Sequence, residues 1–595
     1  YYNSTNTGIS VIVPIANDST LNGGTVQIQC KNASGSFSNL GSASSISSID
    51  TNKTITISNS IFESFGQFSE TKTMSFTAII TDTSGNATTG TTSSSTLLID
   101  ETVPTVTTFT MSDRELKSGD TSTVNIIFSE SVINFASGDI TSPNGAISSL
   151  SSSDGGTTWT ATYTPDSSVT DTTNVLTIGT SYTDNAGNAP STTYTTLNFT
   201  IDTNAPTLTS VTISTNNSST SLGKAGNTVT LLLTSSETLS SNPTVSFTGI
   251  NNSVTVTNTD GNNYSATYLV DSSDTNGVLG FSIDFSDTAG NSGVQVTSVT
   301  SGSNVTIDTT PPSSFTVGSV TSTGGTVKSG YYNSTNTGIR VTVPIANDST
   351  LNGGSVQIQS KKSSGTFTNL GSASTISNIN TNKNISIDSS TFEGLSGEFG
   401  EDETMSFRAI ITDTAGNTTT GSESSTTLHI DQTAPIVSTF TMSDTELKKN
   451  DTSTVTIEFS ESVINFSSSD ISAPNGSLSS FSGSGTSYSV TYTPNNNITD
   501  SSNILTIGTN YTDNAGNAPS TSYDTSNFSI DTISPSITIT ASNGSAVNSE
   551  DLTNDSSLTI TFTSTESTSN FIVGDITTSN GNLSSFSGSG TTYTA

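Results

Sequence analysis

The chain is poor in the residues that most chemistry needs. Its 595 residues include one cysteine, one histidine and one tryptophan. A lone Cys30 closes no internal disulfide, and the matching position of a related repeat is Ser360, so the fold does not depend on such bonds. The cysteine count therefore says little about compartment. With so little His and Cys, nitrogen and sulfur metals are disfavoured. The one histidine, His429, falls on the outward face of a repeat's last strand, where Leu98, Thr200, Thr306 and Ser529 occupy equivalent places. That argues against a general base. No nucleophile, base and orienting group stand together, so no enzyme is expected.

Basic residues are scarce as well: 14 Lys and Arg face 49 Asp and Glu, for a net charge of −35. Without a basic stripe to neutralise phosphates, neither nucleic acid nor an anionic membrane surface is expected as a partner. The fitting counter-charge is a divalent cation. No apolar run approaches the length of a membrane-spanning helix, so no membrane insertion is expected. No amphipathic helical stretch of useful length is present either. Hydrophobic residues make up only 29%. They alternate with polar ones, however, which marks folded units rather than a solvated tail.

What is abundant is repetition. Tyr182-Thr-Asp184-Asn-Ala-Gly187-Asn188-Ala-Pro190, followed by Ile201-Asp202-Thr-Asn-Ala-Pro206, organises the chain. Asp82–Asn86 precedes Ile99-Asp100, Asp287–Asn291 precedes Ile307-Asp308, Asp413–Asn417 precedes Ile430-Asp431, and Asp513–Asn517 precedes Ile530-Asp531. Each pair closes one unit and hands over through a proline. The expected domains are 1–103, 104–205, 206–311, 312–434, 435–534 and 535–595. The fourth copies the first: Val11–Thr20 returns as Val341–Thr350. The fifth copies the second, and the last breaks off mid-unit. Tyr1–Gly8 matches Tyr331–Gly338, which is preceded by residues 312–330 of its own repeat. The first unit is thus expected to lack its first strand, and the sequence to be a window on a longer chain. A signal peptide or anchor would lie outside it.

Within a unit the period is two. Val124, Ile126 and Phe128 alternate with Asn125 and Ile127, and Val455, Ile457 and Phe459 with Thr456 and Glu458. The second unit reads as seven strands, 105–112, 122–129, 140–144, 146–152, 158–164, 174–183 and 193–202, with no helical segment. This pattern predicts an all-β fold: a tandem array of Ig-like seven-stranded β-sandwich domains forming an elongated rod. Trp159, replaced by Tyr488 in the fifth unit, is expected to fill the core.

The combination Phe128-Ser-Glu130, Gly138-Asp-Ile140, Trp159–Pro165, Leu176–Pro190 and Asn198–Thr203 resembles the bacterial immunoglobulin-like (Big) tandem repeats of giant secreted surface adhesins. Many of those are exported by type I systems and bind calcium between repeats. The resemblance implies an extracellular, cell-surface location.

Alternating strand direction places the loop after strand two, the loop between strands six and seven, and the N-terminus at one pole. Each junction should then gather Asp and Glu with an Asn: Asp100 with Glu130 and Asp184/Asn188; Asp202 with Glu237 and Asp287/Asn291; Asp308 with Asp348 and Asp413/Asn417; Asp431 with Glu461 and Asp513/Asn517. Clustered carboxylates repel unless a cation joins them. Calcium suits, because it takes several oxygen ligands in flexible geometry. The alternative is a plain tight turn, with Gly at positive φ and Asp and Asn bonding their own backbone. Asp139, Asp470 and Asp575 are second-rank ligands or, more simply, caps of the third strand. Asn-x-Ser/Thr triplets at Asn32, Asn52, Asn86, Asn198 and Asn304 match glycosylation acceptors, though chance accounts for most of them.

These readings point to a non-enzymatic stalk of a large adhesin, its domains rigidified by calcium at the junctions. Contact with a host or neighbouring-cell surface would fall to parts outside this window. The alternative is a self-assembling surface-layer or filament protein built through lateral contacts. A carbohydrate-binding module is a third class, but it would want exposed aromatics, and most aromatics here are claimed by core positions.

Overall fold

The computed structural model describes residues 1–595. They form two compact bodies, Tyr1–Thr309 and Thr310–Ala595. The first body holds three separate hydrophobic cores and the second holds two, followed by a partial unit. Each core belongs to one β-sandwich.

The second sandwich shows how these residues build the fold. On strand Ser122–Phe128, Val124, Ile126 and Phe128 are buried while Thr123 and Ile127 face solvent. The strand pairs antiparallel with Val106–Met111 on one edge and Thr158–Pro165 on the other, and Gly145–Ser152 extends the sheet. The facing layer is smaller. Glu115–Lys117 runs parallel to Phe199–Asp202, which pairs antiparallel with Thr170–Asn174. Leu116, Phe199 and Ile201 from this layer join Val124, Ile126 and Tyr163 from the other in one core. Tyr163 packs edge-on to Phe199 at 5.2 Å, and its hydroxyl donates to the Pro143 carbonyl at 2.6 Å. A large ring is thereby buried with its polar tip satisfied.

The strands differ from the sequence expectation at several points, with Val132–Ile133 and Thr170–Asn174 among the strands not expected. The expected strands 174–183 and 193–202 break into Thr177–Ile178, Thr183–Asp184, Tyr194–Thr195 and Phe199–Asp202. Side-chain hydroxyls replace ladder partners there; the Leu176 amide donates to Thr196 Oγ1 at 3.1 Å. Glu115–Lys117 is an additional strand, too short for alternation to reveal and parallel to the last one rather than alternating in direction. The first and fourth sandwiches each contain one helical turn, Asn59–Glu63 and Ser389–Glu393. Phe62 and Phe392 anchor these turns in the core, so tertiary burial rather than helical periodicity holds them. Trp159 is half-buried against Phe135, its Nε1 donating to the Gly156 carbonyl, while its counterpart Tyr488 is buried.

Because each core is separate, damage should stay local. Phe128→Ala removes a buried ring in contact with Phe135 and Tyr182 and is expected to cost the second sandwich about 3–5 kcal/mol. Differential scanning calorimetry should show one transition moving to lower temperature while the others hold.

Candidate metal centres at the joints between sandwiches

The Asp-x-x-Gly-Asn segment is a tight turn. In the second sandwich, Gly187 at φ +90° reverses the chain, a conformation that Gly adopts without a Cβ penalty. The Asn188 amide N–H donates to Asp184 Oδ1 at 2.9 Å, and Asn188 Nδ2 donates to Asp184 Oδ2 at 2.8 Å. The same pair of bonds closes Asp287–Asn291, Asp413–Asn417 and Asp513–Asn517. The turn reading is therefore correct in its geometry.

The asparagine does more than close a turn. Asn188 Nδ2 also donates to the Asp100 carbonyl at 2.7 Å, and its Oδ1 accepts from the Ser4 amide and hydroxyl at 3.0 and 2.8 Å. Asn3 Nδ2 reaches the Ala186 carbonyl at 2.6 Å. The fourth and fifth sandwiches repeat these contacts through Asn333, Ser334, Asn517 and the Asp431 carbonyl. Between the second and third, Asn291 bonds the Asp202 carbonyl and the Ser118 amide. The amides of Asn188, Asn291 and Asn517 are thus engaged at both ends. They tie neighbouring sandwiches directly, a role different from the cation ligand expected of them.

The carboxylates do converge. Asp100, Glu130 and Asp184 offer oxygens within 4.8 Å of one another, as do Asp202, Glu237 and Asp287, and Asp431, Glu461 and Asp513. The Asp of each turn is buried and the other two are half-buried. Glu130 and Glu461 are each pushed up to about 7, first by burial and then by the neighbouring aspartates. Burial followed by Asp513 and Glu401 raises Asp431 to about 6. Glu237 and Asp100 move in the same direction for the same reasons.

Glu70 and Glu401 went unrecognised in the sequence. Glu70 accepts from the Glu101 amide and the Thr102 hydroxyl of the linker, and Glu401 from Gln432 and Thr433. Both add negative charge beside the cluster. They sit where sequence spacing alone offers no cue.

The fourth expected set needs correction at Asp348. Its carboxylate accepts from the Thr350 amide and hydroxyl at 2.9 and 2.8 Å, capping the 3-10 turn Ser349–Leu351. Asp18 does the same in the first sandwich. An Asp ahead of Ser-Thr-Leu is a cap signal. Asp308 is buried and accepts from Asn276 Nδ2 at 3.2 Å. Asp139, Asp470 and Asp575 close the 3-10 turn ahead of the third strand through the amides of Ala136, Ser467 and Ile572. His429 Nδ1 lies 3.3 Å from Thr404 Oγ1, its Nε2 lies 3.9 Å from Asp402 Oδ1, and its ring packs edge-on against Tyr331.

Residues 100–201, 431–530 and 531–595 match the family model described as "Bacterial Ig-like domain". These segments are bacterial immunoglobulin-like domains. With the sandwiches between them, they make the chain a tandem immunoglobulin-like array. Among solved structures, it is similar to domains from titin, at 11% identity over 55% of this chain and 99% of that one, with a TM-score of 0.23. It is also similar to the Protocadherin GammaB4 extracellular domain, at 12% identity over 89% and 82%, with a TM-score of 0.24. A SusE-like surface-located polysaccharide-binding protein from the Bacteroides thetaiotaomicron heparin utilisation locus matches at 8% identity over 80% and 83%, with a TM-score of 0.13. These likenesses carry no argument about function. No curated protein matches the chain.

Two predictions test the joints of the array. Glu130 and Glu461 ordinarily titrate near 4.5 but sit near 7 in the folded chain. A raised acid disfavours folding wherever the unfolded chain is already ionised. In chelator, the penalty is absent below about pH 4.5, grows through the interval, and is complete above about pH 7. Melting temperature should therefore be higher at pH 5 than at pH 8, and Glu130→Gln with Glu461→Gln should flatten part of that slope. Separately, Asn291→Ala strips partners from the Asp202 carbonyl and Ser118 amide. It should cost about 1–3 kcal/mol with or without calcium, read by chemical denaturation.

Proposed function

We propose that this array is a structural stalk of an extracellular, cell-surface adhesin, with Ca²⁺ stiffening the joints inside each body. One observation supports the reading above all: three carboxylates from a linker, a strand end and a buried turn meet at each of three joints. A separation of up to 4.8 Å is what two oxygens bound to one ion at about 2.4 Å can reach. The donors are all oxygen, as a hard cation prefers, and the chain's ion pairs leave the clustered carboxylates without a basic partner.

The residues that would hold the ion are Asp100, Glu130 and Asp184 at the first joint, Asp202, Glu237 and Asp287 at the next, and Asp431, Glu461 and Asp513 in the second body. The ion would supply charge neutralisation and a bond across the linker. Hydrogen bonds from the asparagines set the orientation of the turn, and calcium would remove the repulsion that opposes it. A chain with this charge also stays soluble and resists self-association.

Calorimetric titration of the full chain should find three tight calcium sites, one per cluster. Calcium at about a hundred times its dissociation constant should stabilise each occupied site by about 2.7 kcal/mol. Glu237→Gln should lower the stoichiometry by one and leave the other sites intact. Small-angle scattering should show greater flexibility in chelator. An absence of binding, together with scattering curves that superimpose with and without calcium, would sink the proposal.

A further inference from the structure

The first and fourth sandwiches are close copies, yet the outer face of one sheet differs between them. In the fourth, strands Ser355–Lys362 and Thr404–Thr412 pair antiparallel, with Gln359 opposite Arg408. Val356, Ile358, Phe407 and Ala409 are buried in the core, while Gln359, Lys361 and Arg408 alternate with them on the outer face. Arg408 Nε donates to Gln359 Oε1 at 2.7 Å, and Gln359 Nε2 donates to Asn369 Oδ1 at 2.9 Å. The guanidinium lies over Phe367, 4.1 Å from the ring centroid, and the Lys361 ammonium lies 4.6 Å from the same centroid. Lys361 also meets Glu423 at 3.1 Å, but no carboxylate pairs with Arg408.

The first sandwich has the same frame without the arginine. Lys31 lies over Phe37 at 5.0 Å, and Gln29 bonds Asn39 in the same way. Thr77 stands in the place of Arg408 and Thr92 in that of Glu423. Thr77 is buried, and its hydroxyl donates to the Gly90 carbonyl at 2.7 Å. Arg408 is therefore an addition that the fold does not need. Its one hydrogen bond within the chain uses Nε, so the paired terminal nitrogens of the fork point their donors outward. A fork fixed at one edge and one face loses little freedom on meeting a planar or tetrahedral oxyanion. In a chain with 49 acidic residues, an arginine held clear of all of them is matched to an anion from outside.

We propose that this face binds an anionic polysaccharide, with Arg408 forking onto a sugar carboxylate or sulfate. Lys361 turns from Glu423 to the same group, an exchange that costs little because an exposed ion pair is weak. Asn369, exposed beside Gln359, has its Nδ2 donor left for a sugar hydroxyl. The face suits a sugar better than a protein. None of the large apolar side chains from 328 to 435 is exposed, and a protein partner would need such anchors. The site uses none of the joint carboxylates, so it is tested with chelator present and stands or falls apart from calcium.

Calorimetric titration of the full chain with polygalacturonate, which is carboxylated, and with heparin, which is sulfated, should show binding of at least one. The one that binds more tightly tells carboxylate from sulfate, and neutral dextran should not bind. Arg408→Thr, the residue that the first sandwich folds with, should weaken binding about tenfold or more. Arg408→Lys keeps the charge but loses the fork, and should weaken it too. Lys383→Thr makes the same change of charge on the facing sheet and should leave binding unchanged. The proposal is overturned if neither glycan binds or if dextran binds equally. It is also overturned if Lys383→Thr weakens binding as much as Arg408→Thr, which would make the attraction diffuse. Tighter binding of a polyaspartate peptide would assign the face to an acidic protein and overturn it as well.

Discussion

Everything at the joints depends on how a buried aspartate is satisfied. Asp184, Asp287 and Asp513 are carboxylates taken out of water, and burial of that kind is costly unless the charge is hydrogen-bonded. The asparagine four residues later supplies two donors to each. That internal bond fixes the asparagine's orientation. Its remaining valences then point at the linker carbonyl and at the preceding sandwich. A local turn is thus converted into a bond between domains, and Gly187 and its equivalents make the reversal possible.

The same turn creates the electrostatic problem that a cation would resolve. Each buried aspartate faces a glutamate of its own sandwich and an aspartate at the end of the preceding one. Asn-mediated hydrogen bonds hold the parts in register, while the carboxylates repel one another. The joint is therefore oriented by neutral contacts and stressed by charged ones. From the first and fourth sandwiches, Glu70 and Glu401 add to that stress while accepting hydrogen bonds from the linker that follows.

Burial patterns separate structural from functional positions cleanly. Alternating residues on Ser122–Phe128 and Ser453–Ile464 are explained by packing. Asp18, Asp348, Asp139 and Asp470 are explained by short turns that need a side-chain acceptor. What packing does not explain is the gathering of acids at the joints.

Period-two alternation and the spacing of the repeats determined the sandwich class, because both are local patterns that burial of one strand face imposes. The gathering of carboxylates at three of the expected joints was legible as well, since strand direction places loop ends at one pole. Strand breaks were not, because a threonine hydroxyl that replaces a ladder partner leaves no periodic trace. Only the tertiary structure decided the role of Asn188 and the contribution of Glu70. Each of these depends on which groups meet across tens to nearly two hundred residues, and such proximity is a property of packing that local sequence does not encode.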